Sequence, residues 1–210
     1  MITLETTLEI LKRPNQQIDP TITSIDQIKY IIALLETTIK EKIPGDVVEL
    51  GCYIGESSKY LRMMMDKFNS EKKLYVYDSF EGLPEPGPNE PEWRRGTLKT
   101  QQEVLISNFL INNLQPPMVT KCWFNEITDE MLPNKISFAF FDGDFYQSIY
   151  DSLTKVYPKL SHGAIICFHD YERWNLPGVK LAVDDFFTHI GRIERTQFKI
   201  CDQLGVYIHI

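Results

Sequence analysis

The amino-acid sequence predicts one α/β domain: a mostly parallel sheet with helices on both faces and an antiparallel strand at its C-terminal edge. Three observations carry this expectation. Short apolar runs alternate with stretches of helical spacing from Asp46 to Phe168, the pattern of strands joined by crossover helices. After a last helical stretch come two strand-like pieces, Arg192 to Ile200 and Leu204 to Ile210, which read as a closing pair. A chain of 210 residues, 43% hydrophobic and 24% charged, is long enough to bury a sizeable core and short for two domains.

Each element has its own reason. Ser24 to Lys42 opens on a capping serine, sets Ile25, Ile28, Ile31, Ile32, Leu35 and Ile39 at helical spacing, and ends at Pro44-Gly45. Asp46 to Leu50 is an apolar run that stops at Gly51, and Glu56 to Phe68 resumes helical spacing, giving strand, glycine turn and helix. The pattern repeats with a strand from Leu74 to Tyr77, a helix from Gln101 to Asn112, and strands from Met118 to Trp123 and Ile136 to Phe141. A helix from Asp144 to Val156, a strand from Gly163 to Phe168 and a helix from Val179 to His189 follow. One segment breaks the rhythm. Residues 81–100, EGLPEPGPNEPEWRRGTLKT, hold four of the 12 prolines and three of the 11 glycines, so they form neither a helix nor an inner strand. The segment is a surface loop or a lid beside the carboxyl ends of the strands, and its length favours the lid. The single domain, 1–210, thus carries an N-terminal arm at 1–23 and a lid loop at 81–100.

Composition narrows the function. The net charge is −7 and no Lys/Arg run exceeds two residues, which argues against binding nucleic acid through its phosphates. No apolar stretch approaches the ~20 residues of a bilayer span. Met1 to Ile10 carries Glu5 and Glu9 and no basic segment ahead of an apolar core, so a cytoplasmic protein is expected. Cys52, Cys122, Cys167 and Cys201 are far apart, lie in or beside apolar runs, and read as core residues rather than a disulfide or zinc framework.

Polar residues at the ends of the predicted strands are the candidate site. Gly51 and Gly55 form a GxxxG turn after the first strand, where missing β-carbons permit a close approach to a ligand. The GxGxxG dinucleotide fingerprint is absent, and Glu49 would repel a diphosphate. Asp78 ends the second strand, where a carboxylate can accept hydrogen bonds from ribose hydroxyls; the structural alternative is a turn cap before Ser79. Asp142-Gly-Asp144 and His169-Asp170 follow two consecutive apolar strands. If those strands are neighbours, Asp142, His169 and Asp170 converge as ligands for a hard or borderline divalent ion. The alternative makes Asp144 a helix cap and Asp170 a turn residue.

Four stretches, GDVVELGCYIGESS, YVYDSFEGLPEP, FAFFDGDFYQSIYDSLTKVYPKLSHGAIICFHDY and VKLAVDDFF, resemble the macrocin O-methyltransferase (TylF-type) family. The resemblance runs from about Ile22 to Phe187, and DSFEGLP followed by DGDxYxS is its most specific part. It implies a Rossmann-like class I methyltransferase sheet and an S-adenosyl-L-methionine-dependent, Mg²⁺- or Mn²⁺-dependent O-methyltransferase. The implied acceptor is a small molecule bearing a sugar or other polyol hydroxyl, and oligomers are common in such a family. Carried over by position, Glu49, Gly51, Gly55 and Ser57 surround the methionine moiety, Asp78 and Ser79 meet the ribose, and Trp123 and Phe124 wall the adenine. Asp142 and Asp170 become metal ligands. His169 stands where the family usually has another Asp, so it is a ligand better suited to Mn²⁺, Fe²⁺ or Zn²⁺ than to Mg²⁺, or else a general base. Phe145 stands where related catechol methyltransferases carry a lysine base. The proton acceptor is then Asp142, Asp144 or His169, with Trp93, Arg94 and Arg95 of the lid covering the acceptor. Three rivals share the sheet: a nicotinamide oxidoreductase, a metal-dependent hydrolase, and a non-catalytic cofactor-binding member.

Overall fold

Val47 and Val48 point to opposite faces of the first strand, and the whole architecture follows from that alternation. The computed structural model describes residues 23–90, 92–191, 198–201 and 203–210. A capping box starts α1 (Ile25–Lys40): Ser24 Oγ accepts from Gln27 N at 3.1 Å, and Gln27 Oε1 accepts from Ser24 N at 2.9 Å. Then come β1 (Asp46–Leu50), α2 (Glu56–Lys67), β2 (Leu74–Asp78), α3 (Gln102–Ile111), β3 (Met118–Lys121) and β4 (Ile136–Phe141). They are followed by α4 (Tyr146–Val156), β5 (Leu160–Phe168), α5 (Pro177–His189), β6 (Phe198–Cys201) and β7 (Leu204–Ile208).

The seven strands among the described residues lie in the order β3-β2-β1-β4-β5-β7-β6. The first five are parallel, and β7 runs antiparallel to both β5 and β6. Val47, Val76, Phe138, Phe140, Ile165 and Cys167 face α1, α2 and α3 in one apolar core. Val48, Leu50, Tyr77, Ala139, Phe141 and Phe168 face α4 and α5 in the other. A central sheet buried on both sides is what continuous apolar runs such as ISFAFF require.

Differences from the sequence reading fall at element ends. Strand β5 begins at Leu160 rather than Gly163, because Gly163, at a left-handed φ of +82°, sits in a register irregularity that lets Leu160 still pair with Ile136. Strand β3 stops at Lys121, and Trp123 precedes a short 3₁₀ turn. Helix α4 starts two residues after Asp144, whose φ of +58° keeps it outside the helix. At the C-terminus β7 lies inside and β6 forms the edge, while 192–197 of the expected strand and 1–22 of the expected arm lie outside the described residues. Cys52, Cys122 and Cys167 are buried free thiols, as expected.

Candidate active site

Strand order reverses between β1 and β4, the place where open α/β sheets leave a crevice at the carboxyl ends of their strands. A cavity of about 720 Å³ opens there. Its first wall is the turn between β1 and α2. Gly51 and Gly55 have φ of +87° and +81°, a region that glycine enters without strain. Asp78, at the end of β2, holds this turn from below. Its Oδ2 accepts from Cys52 N and Tyr53 N at 2.9 Å each, and its Oδ1 accepts from Phe80 N at 2.7 Å. The turn-capping role therefore exists, and Asp78 also lines the cavity.

Glu49 departs from expectation. Its side chain is fully buried, its carboxylate oxygens accept from the hydroxyls of Ser57 and Ser58, and it does not reach the cavity wall. Burial pushes its pKa up to about 8, against the two hydroxyl contacts that lower it. Gly55 likewise lies behind the wall, packed against Leu105. Neither residue lines the cavity; both shape the turn that does. Gly51, Ser57, Asp78, Ser79, Trp123 and Phe124 do line the cavity.

The second wall comes from β4 and β5, which are neighbours with Phe141 paired to Phe168. Asp142, His169 and Asp170 converge as anticipated, one ligand atom from each lying within 4.8 Å of the others. His169 Nδ1 is 3.0 Å from Asp142 Oδ1 and 3.1 Å from Asp170 Oδ2, yet it has no partner aligned for a hydrogen bond. Its other nitrogen, Nε2, is 3.3 Å from Gln27 Oε1 of α1, an oxygen already oriented by Ser24 N. That oxygen only accepts, so Nε2 carries a proton and Nδ1 is the nitrogen turned toward the two carboxylates. Three electron-rich atoms facing one point require a cation or a proton between them. Ligands ~2.1 Å from an ion on adjacent octahedral corners stand ~3.0 Å apart, so the spacing and donor set fit a divalent metal. Burial alone would lower the pKa of His169, but Asp142 and Asp170 outweigh it and raise the value well above the usual range. Burial opposes the charge of Asp170 too; His169 and Arg173, the latter 3.2 Å from Oδ1, nonetheless bring its pKa down.

Asp144 stands beside this cluster without belonging to it. Burial, then the charges of Asp142 and Asp170, raise its pKa well above the usual carboxylate range. The lid loop closes the cavity: Leu83 and Thr97 join its two arms, with Leu83 N donating to Thr97 O at 2.8 Å, and Trp93 lines the interior. Arg94 and Arg95 are exposed and face away from the cavity, contrary to expectation. Sequence reasoning missed Gln27, Arg173 and Glu90. Gln27 and Arg173 come from segments with no motif of their own, whereas Glu90 is a buried acid inside a loop whose composition reads as exposed.

The chain and its fold have named relatives. The family described as Macrocin-O-methyltransferase (TylF) matches residues 12–209. A demethyldecarbamoylnovobiocin O-methyltransferase of Streptomyces niveus is 28% identical over 89% of this chain and 74% of its own length. The 8-demethyl-8-(2,3-dimethoxy-alpha-L-rhamnosyl)-tetracenomycin-C 4'-O-methyltransferase of Streptomyces olivaceus is 30% identical, over 80% of this chain and 66% of its own. Among solved structures, the O-methyltransferase NovP superposes with a TM-score of 0.81 at 23% identity, covering 99% of this chain and 88% of that one. No helix among the described residues is long and apolar enough to cross a membrane.

Proposed function

This chain belongs to the macrocin O-methyltransferase (TylF) family, enzymes that use S-adenosylmethionine as methyl donor, and from that premise we propose that it methylates a hydroxyl of a sugar-bearing small molecule with a divalent metal bound at Asp142, His169 and Asp170. One observation carries the proposal: the glycine turn held by Asp78 and the Asp142–His169–Asp170 cluster are two walls of one cavity. One named relative acts on a rhamnosyl-bearing tetracenomycin, which supports a sugar hydroxyl as acceptor.

Gly51, Ser57, Asp78 and Ser79 would hold the amino-acid and ribose parts of the donor, and Trp123 and Phe124 would flank its base. S-adenosylmethionine supplies an electrophilic methyl group on a positively charged sulfur, a charge that a cavity lined by Glu56, Asp78, Asp142 and Asp144 favours. A divalent ion supplies positive charge that orients an acceptor oxygen and lowers its pKa. The nitrogen donor of His169 favours Mn²⁺ or Fe²⁺ over Mg²⁺. Asp144 takes the hydroxyl proton: it borders the ligand cluster, lines the cavity and is not itself among the three ligands. His169, tied through Nε2 to Gln27, serves as a ligand rather than the base. The lid positions the acceptor and excludes water.

A hydrolase would use the acidic cluster and leave the Asp78 wall idle, so family membership favours transfer. The test is tritiated methyl transfer from S-adenosylmethionine to a panel of glycosides with vicinal hydroxyls, with and without EDTA. Transfer that EDTA abolishes and Mn²⁺ restores is expected. Transfer undiminished by EDTA would remove the metal, and transfer to no member of the panel would remove the sugar hydroxyl.

A further inference from the structure

Glu90 lies in the middle of the lid, yet only 2% of it is exposed. Its carboxylate reaches across the cavity rim: Oε1 accepts from Tyr146 N, the first residue of α4, at 3.0 Å. Its Oε2 accepts from Gly87 N within the lid, also at 3.0 Å. Helix α4 has no side-chain cap of its own from Phe145, so the lid provides one. The same carboxylate sits against the start of α5. A β-carbon on Gly178, the second residue of α5, would fall 1.9 Å from Glu90 Oε1 and 2.9 Å from Tyr146 N. Glycine there leaves the space the carboxylate occupies, and two helix N-termini face one buried negative charge.

Tyr146 follows Asp144 by two residues. Between them, Asp144 holds a left-handed φ of +58° and Phe145 N donates to Gly143 O at 2.6 Å, a tight turn with little slack. From this geometry we infer that Glu90 is a positioning residue that makes lid seating and placement of Asp144 a single event. The inference rests on the reading above of Asp144 as the proton acceptor. With Glu90 seated, the lid caps α4 and the Asp144 turn is fixed; with Glu90 withdrawn, the first turn of α4 loses its cap and the lid loses its only buried carboxylate among the described residues.

Two variants test this by different routes. Glu90→Gln keeps the shape but offers one acceptor oxygen where two N–H groups need one each. Gly178→Ala removes no hydrogen-bonding group, but its β-carbon meets both the Glu90 carboxylate and Tyr146 N, so it disturbs the same seating from the α5 side. Trypsin cleavage after the exposed Arg94 and Arg95, followed by mass spectrometry, reports lid seating without any acceptor. Cleavage is expected to rise about tenfold in both variants. Glu92→Gln in the same loop should cleave at the wild-type rate. In methyl-transfer assays kcat should fall while the affinity for S-adenosylhomocysteine stays within about twofold of wild type. Glu90→Asp, which keeps both acceptor oxygens and shortens their reach, carries the test should Glu90→Gln not fold. Wild-type cleavage rates in the folded Glu90 variants would overturn the inference. Because cleavage is read on the resting protein, absence of methyl transfer in the wild type would count against the proposed function and not against the latch.

Discussion

A β-carbon on Gly51 would lie 1.9 Å from the carbonyl oxygen of Asp142. The turn between β1 and α2 and the loop that carries Asp142, the two proposed walls of the site, are therefore in backbone contact, also joined by Asp142 N donating to Leu50 O at 2.8 Å. Gly51→Ala meets both the clash and a φ of +87°. The left-handed backbone alone costs about 1–3 kcal/mol, so urea denaturation should show at least that loss. Calorimetry should show S-adenosylhomocysteine and Mn²⁺ binding weakened together. A stable Gly51→Ala protein that binds both normally would separate the two walls.

Replacing the proposed proton acceptor should slow the chemistry and spare the binding. Asp144→Asn is expected to lower kcat by about 10²–10⁴-fold, the range for loss of a positioned base. Mn²⁺ affinity, followed by electron paramagnetic resonance, should persist because Asp144 lies outside the cluster of three proposed ligands. A kcat close to wild type would move the base elsewhere.

The proposed metal cluster makes the opposite prediction. Asp142→Asn removes the charge of a proposed ligand whose oxygen is 3.0 Å from His169 Nδ1, and Mn²⁺ binding should drop by tenfold or more in the same spectroscopic titration. His169→Asp restores an all-oxygen set and should shift preference from Mn²⁺ toward Mg²⁺. Equal preference in wild type and variant would deny His169 a place among the ligands.

Glu49 gives a stability signature without any ligand. Its folded pKa of about 8 lies above the usual 4.5, so the folded state holds a proton that the unfolded chain has released between those values. Stability from this group is greatest below about pH 4.5 and is lost as pH rises toward 8, at about 1.4 kcal/mol per pH unit. Glu49→Gln should flatten that part of the profile. A wild-type stability that does not fall across this interval, or a slope unchanged in Glu49→Gln, would contradict the burial argument.

The strands were legible because a sheet covered on both faces needs unbroken apolar runs, and ISFAFF is one; its bounds emerge where expected. The convergence of Asp142, His169 and Asp170 was legible for the same reason, since polar residues ending two neighbouring strands share an edge. The lid was legible as a loop through its prolines and glycines, but its inner and outer sides were not: Arg94 and Arg95 face out while Glu90 faces in. Spacing along an irregular segment has no period from which to read a face. Glu49 illustrates another limit. An acid at the end of a strand can point into a cavity or behind it, and here Ser57 and Ser58 on α2 draw it behind. Gln27, 142 residues before His169, touches it only through the packing of α1 on the sheet, a contact no local pattern encodes.

The account stands most directly on the wall that Asp78 holds. Calorimetric titration with S-adenosylhomocysteine, in the presence of Mn²⁺, compares wild type with Asp78→Ala at a temperature where both are folded. The predicted result is one-to-one binding by wild type, weakened at least tenfold in Asp78→Ala, because the turn loses the carboxylate that fixes Cys52 N and Tyr53 N. No binding by the folded wild-type protein, or binding indifferent to Asp78, would contradict it.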